Sequence, residues 1–417
     1  MNILEELEWR GLIHSITDED KLKMMLTKPT KLYVGVDPTA DSMHIGHLLP
    51  IIMLRRFQQA GHIPVPLMGG GTGQIGDPSG RNSERTLLDI ETINSNVESI
   101  KKQVKKILDL DADNAPIFLN NNDWGSQIGM FEFLRDYGKY FNINYMLAKD
   151  IVASRLDTGI SFTEFSYSIL QSIDWLKMYE NHNVTLQIGG SDQWGNITAG
   201  LELIRKKHPE AICAGLTMPL ITKADGTKFG KTAGGAIWLD PKKTTPYEFY
   251  QFFLNTADAD VINYLKVFTF LSKEEISAIE EDMKENAHQR LAQKTLAKEM
   301  TIMVHSLEDY ENALKISKAL FSGDIKELDI EDIKGSFKGV PTFEMEDSEL
   351  NVVDFLVNTT ICKSKREARE FVSGNSITIN GDKITDLEFI VKKSDAFNNE
   401  ITIVRRGKKN YFRVNFK

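Results

Sequence analysis

The first half of this 417-residue sequence predicts an α/β fold with a parallel sheet. Three short apolar stretches indicate the strands, at 31–36, 63–68 and 186–188, and each runs into a turn rich in glycine or containing Asp-Pro. Helical patterns follow the first and third, at 45–60 and 193–206. Strand, turn and helix in this repeated order favour a parallel sheet, which binds ligands at the carboxyl ends of its strands, where these turns lie.

The remaining segments predict an insertion and further domains. The stretch between the second and third strands is mostly helical and too long for a simple crossover, so we expect an insertion there. Acid-rich residues with little periodicity predict a linker, and beyond it a capping box at Ser364–Glu367, a stop at Gly374 and an Asn380-Gly381 turn predict a small α+β domain. The predicted divisions are the α/β domain with its insertion, a glycine-rich loop with an all-α domain, the linker and the α+β domain, at 1–222, 223–321, 322–349 and 350–417.

Composition excludes several classes of protein. With 41% apolar and 26% charged residues, the chain fits neither a disordered nor a collagen-like nor a membrane-spanning protein. Cys213 and Cys362 lie far apart without a CxxC partner, which argues against a disulfide framework and a cysteine zinc site. The first residues are acidic where a signal peptide is basic, and no apolar run reaches the roughly 18 residues of a membrane helix. We therefore expect a cytoplasmic protein without a membrane partner.

Charge is divided unevenly along the chain, whose net charge is −9. Residues 350–417 hold thirteen Lys or Arg and eight Asp or Glu, a net charge of +5, so the rest of the chain carries −14. A basic domain on an acidic body indicates a polyanionic partner, although a solvated basic face fits the charge equally well. The late basic residues are Arg405, Arg406, Lys408, Lys409, Arg413 and Lys417.

The tetrapeptide His44-Ile45-Gly46-His47 follows the first strand and an Asp-Pro-Thr turn. Two imidazoles spaced i, i+3 lie on one face of a first helical turn, where free N–H groups already favour an anion. Gly46 leaves room for a base or ribose against the backbone. A plain HxxH is more often structural or solvated, and no nearby ligand set supports a metal site.

A glycine-hinged loop later in the chain contains Lys228-Phe229-Gly230-Lys231-Thr232. Two ammonium groups and a hydroxyl on such a loop suit closure over a triphosphate, where they would neutralise developing charge. Alone, this pattern is typical of a solvated surface loop. Its pairing with the two histidines favours the phosphate-binding interpretation.

The segment Gly71–Gly76 matches GxGxxG after a strand, the pattern of a dinucleotide-binding turn. A turn, Asp77-Pro78-Ser79-Gly80, follows where that motif needs a helix, and Asp77 stands where a Walker motif needs lysine. We therefore interpret these glycines as allowing close approach of the backbone to a ligand that Asp77 faces, rather than as an NAD site.

Tyr167, Gln171 and Asp174 share one face of a predicted helix among apolar neighbours. Their phenol, amide and carboxylate could hold a small polar ligand in an apolar pocket. The alternative is the solvent face of an ordinary amphipathic helix.

Taken together, these motifs resemble the class I aminoacyl-tRNA synthetases, and among them the tyrosyl-tRNA synthetases of bacterial type. The resemblance runs nearly end to end and rests on YVGVDPTADSMHIGH, GDPSGR, GISFTEFSYSILQ, LQIGGSDQWGNITAG, KADGTKFGKT and the C-terminal module. It implies a Rossmann-like catalytic domain with an insertion, a helical anticodon-side domain and an S4-like RNA-binding domain. KFGKT departs from the general KMSKS form but keeps both lysines and a hydroxyl, and Pro50 lies early in the helix after HIGH.

The resemblance also implies roles for individual residues. The phenol of tyrosine would meet Tyr33 and Asp174. The implied tyrosine-binding set is Tyr33, Asp77, Tyr167, Gln171, Asp174 and Gln193. The implied ATP-binding set is Gly35, Asp37, Thr39, His44, Gly46, His47, Gly190, Asp192, Lys228 and Lys231. The implied catalytic set is His44, His47, Lys228, Lys231 and Thr232. A mobile basic segment near the pyrophosphate would contain Arg81 and Arg85.

The resemblance further implies the substrates and partners. ATP would enter with Mg²⁺, without a structural metal, and L-tyrosine and tRNA(Tyr) would be the other substrates. RNA would contact the basic C-terminal domain. The family is homodimeric, and residues 130–146 are apolar enough for an interface or equally for a core. The alternatives are a tryptophanyl-type enzyme, an inactive RNA-binding relative and an NAD-dependent oxidoreductase.

Overall fold

The computed structural model divides into two compact units, one of Met1–Lys243 and Phe253–Val304 and the other of Thr244–Phe252 and His305–Lys417. None of the helices it describes is long and apolar enough to cross a membrane. The described residues are 2–79, 87–153, 155–156, 159–224, 226–227, 229–232, 235–322, 325–337, 340–407 and 410–417.

The first unit is built on a mostly parallel sheet. Its strands in chain order are β1 (Ser15–Ile16), β2 (Lys31–Val36), β3 (Ile63–Met68), β4 (Leu119–Asn120), β5 (Val184–Gly190) and β6 (Ala214–Met218). A small separate ribbon joins β7 (Lys231–Thr232) to β8 (Gly235–Ala236).

The strand order in the sheet is β1-β6-β5-β2-β3-β4. Every neighbouring pair is parallel except β1 with β6. After β1, which forms one edge of the sheet, the chain places β2 at the centre, adds β3 and β4 on one side, and then returns to place β5 and β6 between β2 and β1. The crevice between the carboxyl ends of β2 and β5 is the switch point at which such sheets bind ligands.

Helices of the first unit cover the sheet and extend beyond it. They are α1 (Ile3–Trp9), α2 (Glu19–Met25), α3 (Leu48–Gln59), α4 (Ile90–Ile107), α5 (Asn122–Gly125), α6 (Met130–Glu132), α7 (Ile143–Leu147), α8 (Asp150–Ala153), α9 (Phe162–His182), α10 (Trp194–Lys207), α11 (Pro246–Leu254), α12 (Asp258–Phe268), α13 (Lys273–Asn286) and α14 (Leu291–Val304). Most of α11, up to Phe252, belongs to the second unit. The helices predicted between β3 and β5 and from Pro246 onward are found, although β4 also lies between β3 and β5.

Two prolines lie inside β3, which pairs along its whole length with β2. Proline donates no backbone hydrogen bond and is usually excluded from central strands. On the other side, β4 pairs with β3 only at Leu67 and Met68, beyond Pro64 and Pro66. Both prolines therefore lie where β4 does not pair with β3. The strand predicted from the apolar run forms despite them.

Buried arginines tie the N-terminal helix to the end of α12. Arg56, 2% exposed, donates to Glu6 at 2.9 Å and also to the carbonyl of Thr269. Arg10 donates to the carbonyls of Lys266 at 2.8 Å and Leu271 at 2.7 Å. Burial lowers the pKa of Arg56 to about 9, and the bonds to Glu6 and the carbonyls compensate for the lost hydration. The chain that follows α12 is thereby fixed against α3.

The second unit combines helices with two small sheets. Its helices are α15 (Leu307–Ser322), α16 (Ile330–Ser336), α17 (Val352–Asn358) and α18 (Lys365–Ser373). Its strands are β9 (Thr342–Met345), β10 (Glu349–Asn351), β11 (Ile377–Ile379), β12 (Asp382–Ile384), β13 (Ile390–Lys392), β14 (Ile401–Arg406) and β15 (Asn410–Phe416). The larger sheet has the order β12-β11-β14-β15-β9, and β10 pairs with β13.

Several local predictions in the second unit are confirmed. Ser364 caps α18, whose C-cap is Gly374, and β11 turns into β12 through Asn380 and Gly381, both at positive φ (49° and 91°). The segment 322–349 differs from the expected linker, because its described residues include α16 and β9. Ile333 and Phe337 of this segment are buried against α15 and β14, so the acid-rich composition hid an apolar face.

Candidate functional site

A cavity of about 540 Å³ opens at the carboxyl ends of β2 and β5. It brings together residues from well-separated stretches of the chain, among them the ends of both strands, the turn after Thr39, the glycine-rich turn after β3 and the long helix α9. The predicted residues that line it are Tyr33, Gly35, Asp37, Thr39, His44, Gly46, His47, Asp77, Tyr167, Gln171, Asp174, Gly190, Asp192 and Gln193.

Other predicted site residues cannot be placed in this way. Lys228 and the basic pair Arg81 and Arg85 lie outside the described residues. The backbone of Lys231 and Thr232 forms β7, and the positions of their side chains are not described.

At the inner end of the cavity a carboxylate is buried beside a phenol. Tyr33 is 1% and Asp174 5% exposed, and among the described residues the Tyr33 hydroxyl has no hydrogen-bond partner. Asp174 accepts from Asn121 Nδ2 at 2.8 Å and from Trp124 Nε1 at 2.7 Å. Burial raises the pKa of Asp174 to about 7, against the opposing effect of these two donors. At this end of the cavity, the Asp174 carboxylate can accept a hydrogen bond from a ligand hydroxyl. The Tyr33 hydroxyl beside it can donate one.

Toward the middle of the cavity, Tyr167 and Thr72 both donate to Asp37, at 2.8 Å each. Tyr167 is 5% exposed, and burial with the negative charges of Asp37 and Asp77 raises its pKa well above the ordinary value. The stripe on α9 therefore faces a pocket, and its interpretation as a solvent-facing surface is wrong.

A second carboxylate lies across the cavity mouth. Asp77 accepts from Gln193 Nε2 and from the backbone N–H of Ser79, both at 2.8 Å. Gln193 also accepts from Asn196 at 3.2 Å. With Asp37, this places two carboxylates where an ammonium group could lie between them.

The histidines of the HIGH motif lie at the start of α3. His44 caps a 3₁₀ turn by accepting from the backbone N–H of Gly46 at 3.1 Å, and its ring stacks on that of His47, with centroids 3.8 Å apart. A Cβ on Gly46 would lie 2.8 Å from the His44 ring. The glycine is therefore needed for this stacked pair, which lies at a helix start suited to anions.

The glycine-hinged loop of the KFGKT motif is anchored to the first unit through Phe229. Its ring, 8% exposed, packs on Tyr264 and Phe268 with centroids 4.8 and 4.9 Å away. Gly230 has φ +86°, and a Cβ there would lie 2.8 Å from Ile45 of the HIGH motif. The backbone that leads into Lys231 is thus seated directly against the histidine turn.

Among the polar residues missed from the sequence, Thr72 and Asn121 line this cavity, and Trp124 supports it by donating to Asp174. The signal for Asn121 was present, because a run of asparagines at 120–122 follows an apolar stretch at a strand end. Thr72 lay inside the glycine run judged to be a false dinucleotide motif. A 3₁₀ turn at Thr72–Gln74 follows β3, where a dinucleotide-binding motif needs a helix.

Comparisons with known proteins agree with this arrangement. A family model described as tRNA synthetases class I (W and Y) matches residues 25–322. Another, described as the tyrosine–tRNA ligase SYY-like C-terminal domain, matches residues 332–414.

Individual relatives match along the whole chain. The tyrosine–tRNA ligase of Listeria monocytogenes is 59% identical over 419 residues, covering 100% of both chains. Tyrosine–tRNA ligase 1 of Enterococcus faecalis is 59% identical and covers 99% of both. The solved structure of a C-terminally truncated Aspergillus nidulans mitochondrial tyrosyl-tRNA synthetase is 34% identical, with a TM-score of 0.69, and covers 77% of this chain and 94% of that one.

Proposed function

The chain belongs to the tyrosine–tRNA ligases, a family of class I tRNA synthetases, and from that premise we propose how its cavity binds tyrosine and ATP. The enzyme attaches tyrosine to tRNA and uses ATP as a substrate. The observation that carries the site assignment is the buried carboxylate of Asp174 beside the unused hydroxyl of Tyr33, at the closed end of the cavity.

Tyrosine enters with its phenol innermost. Its hydroxyl donates to Asp174 and accepts from Tyr33, so both ends of the O–H group are satisfied. Phenylalanine would leave the buried Tyr33 hydroxyl without a partner and would not supply the hydrogen bond that Asp174 can still accept, which is costly. Tyrosyl-tRNA synthetases are the established example of such discrimination between a hydroxylated substrate and its analogue without the hydroxyl. The ammonium group then lies near Asp77, Tyr167 and Gln171, and Gln193 lies near the carboxylate.

ATP occupies the outer half of the cavity. Gly35, Asp37 and Thr39 line its nucleotide side, Gly46 leaves space for the sugar and base, and Gly190 with Asp192 binds the ribose. A Cβ on Gly190 would lie 2.4 Å from an Asp192 oxygen, which supports a role for this glycine in keeping the carboxylate close to the backbone.

Charge stabilisation falls to the two signature segments. The tyrosine carboxylate, ionised at neutral pH, attacks the α-phosphorus of MgATP, and pyrophosphate leaves as the new O–P bond forms. Negative charge moves onto the β and γ oxygens, where His44, His47, Lys228, Lys231 and Thr232 bind it, with Arg81 and Arg85 nearby. A ribose hydroxyl at the 3′ end of tRNA(Tyr) then takes the tyrosyl group, and AMP leaves.

We propose that two copies of the chain associate through an exposed apolar surface of the insertion. Met130 and Phe131 are 68% and 80% exposed, and Leu134, Ile143 and Phe162 are also largely exposed. Isolated exposed apolar residues are ordinary, but Met130, Phe131 and Leu134 are neighbours within about one helical turn, and such a group favours a protein partner. Other residues of the predicted region 130–146, such as Tyr137, belong to the core.

We propose that the C-terminal domain, S4-like in kind, contacts RNA through α18. Lys363, just before this helix, is exposed, as are Lys365, Arg366 and Arg369 on it. Of the late basic residues, Arg405 donates to Thr378 and Arg406 lies over the rings of Phe371 and Phe412, so these two support the domain itself. The four-part domain division and the cytoplasmic location stay predictions.

One experiment tests the function of the cavity. ATP–pyrophosphate exchange is measured with each of the twenty amino acids. Exchange with tyrosine alone is expected; exchange with tryptophan would favour the tryptophanyl alternative. No exchange with any of them would favour the inactive RNA-binding alternative. Binding of a nicotinamide nucleotide in a fluorescence titration would revive the oxidoreductase.

A further inference from the structure

A continuous row of hydrogen bonds runs along the floor of the cavity. Thr72 donates to Asp37 and accepts from Asn121 Nδ2, and the second hydrogen of that amide goes to Asp174, each bond being 2.8 Å long. At one end of the row Tyr167 donates to Asp37, and at the other end Trp124 donates to Asp174. We call these six residues the floor relay.

The relay is fixed in place by the backbone. Asn121 and Thr72 are 2% and 5% exposed. The amide oxygen of Asn121 accepts from the backbone N–H of Gly71 at 2.7 Å, so the Asn121 amide uses its oxygen and both hydrogens. A buried network with its polar atoms paired holds one arrangement, because any rotation leaves a group without a partner.

The glycine run at the end of β3 explains how Thr72 comes so close. A Cβ on Gly69 would lie 2.2 Å from Asp37 Oδ1 and 2.7 Å from Thr72 Oγ1, so no other residue fits beside this pair. A Cβ on Gly70 would lie 2.5 Å from Asn120. These glycines therefore make space for the relay.

We propose that Thr72 is a positioning residue that, together with Asn121, couples the phenol end of the tyrosine site to its ammonium and nucleotide end. Asp174 and Asp37 are shared acceptors for two donors each, and Thr72 with Asn121 joins the two carboxylates. A hydroxyl bound at Asp174 therefore orients Asp37 as well. This proposal rests on the proposed tyrosine site. It adds that binding of the phenol hydroxyl at Asp174 also orients the groups that position tyrosine for its reaction with ATP.

A triple-substitution cycle tests the coupling. Tyr167→Phe and Trp124→Phe each remove one terminal donor, at opposite ends of the relay. Their separate and combined effects on kcat/KM for tyrosine are measured by ATP–pyrophosphate exchange, first in the native background and then with Thr72→Val. Residues in one network couple where distant ones add, so we expect non-additivity of about threefold or more in the native background. With Thr72→Val the combined effect is expected to fall within about twofold of additive.

Matched variants separate positioning from packing. Thr72→Ser keeps the hydroxyl and is expected to restore the coupling, since only the methyl group is lost. Ser172→Ala removes a fully buried hydroxyl of α9 that donates to the carbonyl of Ser168, and is expected to leave exchange and coupling unchanged. Thermal unfolding of each variant shows whether lost activity reflects lost folding.

Two results would overturn the proposal or part of it, and a third would overturn the tyrosine site instead. Additive effects of Tyr167→Phe and Trp124→Phe in the native background overturn the proposal, and this result needs no Thr72 variant. Coupling that survives Thr72→Val overturns the role of Thr72, because another route then carries it. If the native enzyme shows no exchange with tyrosine, the tyrosine site itself fails, which is a separate outcome.

Discussion

The ring of Phe229 stacks on that of Phe268, with centroids 4.9 Å apart and planes inclined by 24°. Phe268 lies at the end of α12, and the chain just beyond it is tied to α3 by Arg56 and to the end of α1 by Arg10. Because α3 directly follows the HIGH turn, the HIGH and KFGKT segments both pack against helices that are bonded to each other, α3 and α12.

Phe229→Leu tests whether this seat positions the loop. The substitution keeps an apolar side chain but removes part of its buried volume, at a cost of roughly 1–3 kcal/mol, and thermal unfolding of the variant checks that the fold survives. We expect kcat of tyrosine activation to fall about tenfold or more, because the phosphate-binding loop loses its fixed position, with KM for tyrosine nearly unchanged. Phe337→Leu makes the same change in the core of the other unit and should leave exchange unaffected. Unchanged kcat for Phe229→Leu would contradict the positioning role.

Asp174→Asn tests the phenol site. The amide has the same shape but no charge, and it cannot accept from Asn121, Trp124 and the substrate as a carboxylate does. We expect kcat/KM for tyrosine to fall about 100-fold, as for loss of a charged hydrogen bond, and activation to be lost far more than folding. Asp258→Asn, which alters a carboxylate bonded to Gln293 away from the cavity, is the control. Normal tyrosine activation by Asp174→Asn would show that the phenol binds elsewhere.

The raised pKa of Asp174 also predicts how the stability of the enzyme depends on pH. Burial raises the pKa of Asp174 from 3.8 to about 7, so the folded chain holds this proton more tightly than the unfolded chain. Its contribution to stability is therefore complete below about pH 4 and is lost as the pH rises to 7. We expect the unfolding free energy of the native enzyme, relative to Asp174→Asn, to decline across that interval; a rise would contradict the sign.

Tyrosine binding has the opposite pH dependence, because the ionised carboxylate accepts the phenol hydrogen bond more strongly than the neutral acid. Asp37 also faces this group and helps to raise its pKa. We expect KM for tyrosine to rise as the pH falls from about 8 to about 6, and the Asp174→Asn enzyme to lack this component. Identical pH profiles for the two enzymes would rule it out.

Phe131→Asp tests the proposed association of two copies. Placing a charge on a side chain that is 80% exposed should not disturb the monomer, but it would bury an unpaired carboxylate in a dimer. Sedimentation should therefore show a dimer for the native chain and a monomer for the variant. Leu110→Asp, at another exposed apolar residue, should remain a dimer. A native monomer would refute the interface.

Charge removal on α18 tests the RNA contact. With Lys363→Ala and Arg369→Ala combined, we expect weaker binding of tRNA(Tyr) and a salt dependence whose slope is smaller by about one for each lost phosphate contact. ATP–pyrophosphate exchange, which needs no tRNA, should be unchanged. Lys23→Ala, an exposed lysine of α2, is the control. Equal affinities for all three chains would move the RNA contact elsewhere.

Much of the fold could be predicted because the signals were local. The strands at Lys31–Val36 and Ile63–Met68 are found at the predicted residues, since an apolar run bounded by turn residues defines a buried parallel strand. The segment 322–349 could not be predicted in this way. Its helix is amphipathic over only two turns, and Ile333 is buried by contacts with residues distant in sequence.

The cavity was predictable where motifs carry the chemistry, but its supporting residues were not. His44, Asp77 and Asp174 stand within recognisable motifs. Asn121 and Trp124 reach Asp174 only because the end of β4 lies beside α9, and no sequence spacing reports that distance. Thr72 was hidden by a glycine pattern that has several structural meanings.

The parallel pairing of β9 with β15 has a practical consequence for dissecting this protein. Four residue pairs, from Thr342 with Arg413 to Met345 with Phe416, join the two strands. A fragment cut at 350 would uncover one long edge of the last strand, and bare strand edges recruit other chains into aggregates. A fragment intended for RNA studies should therefore begin upstream of 340, ahead of the strand that shields this edge.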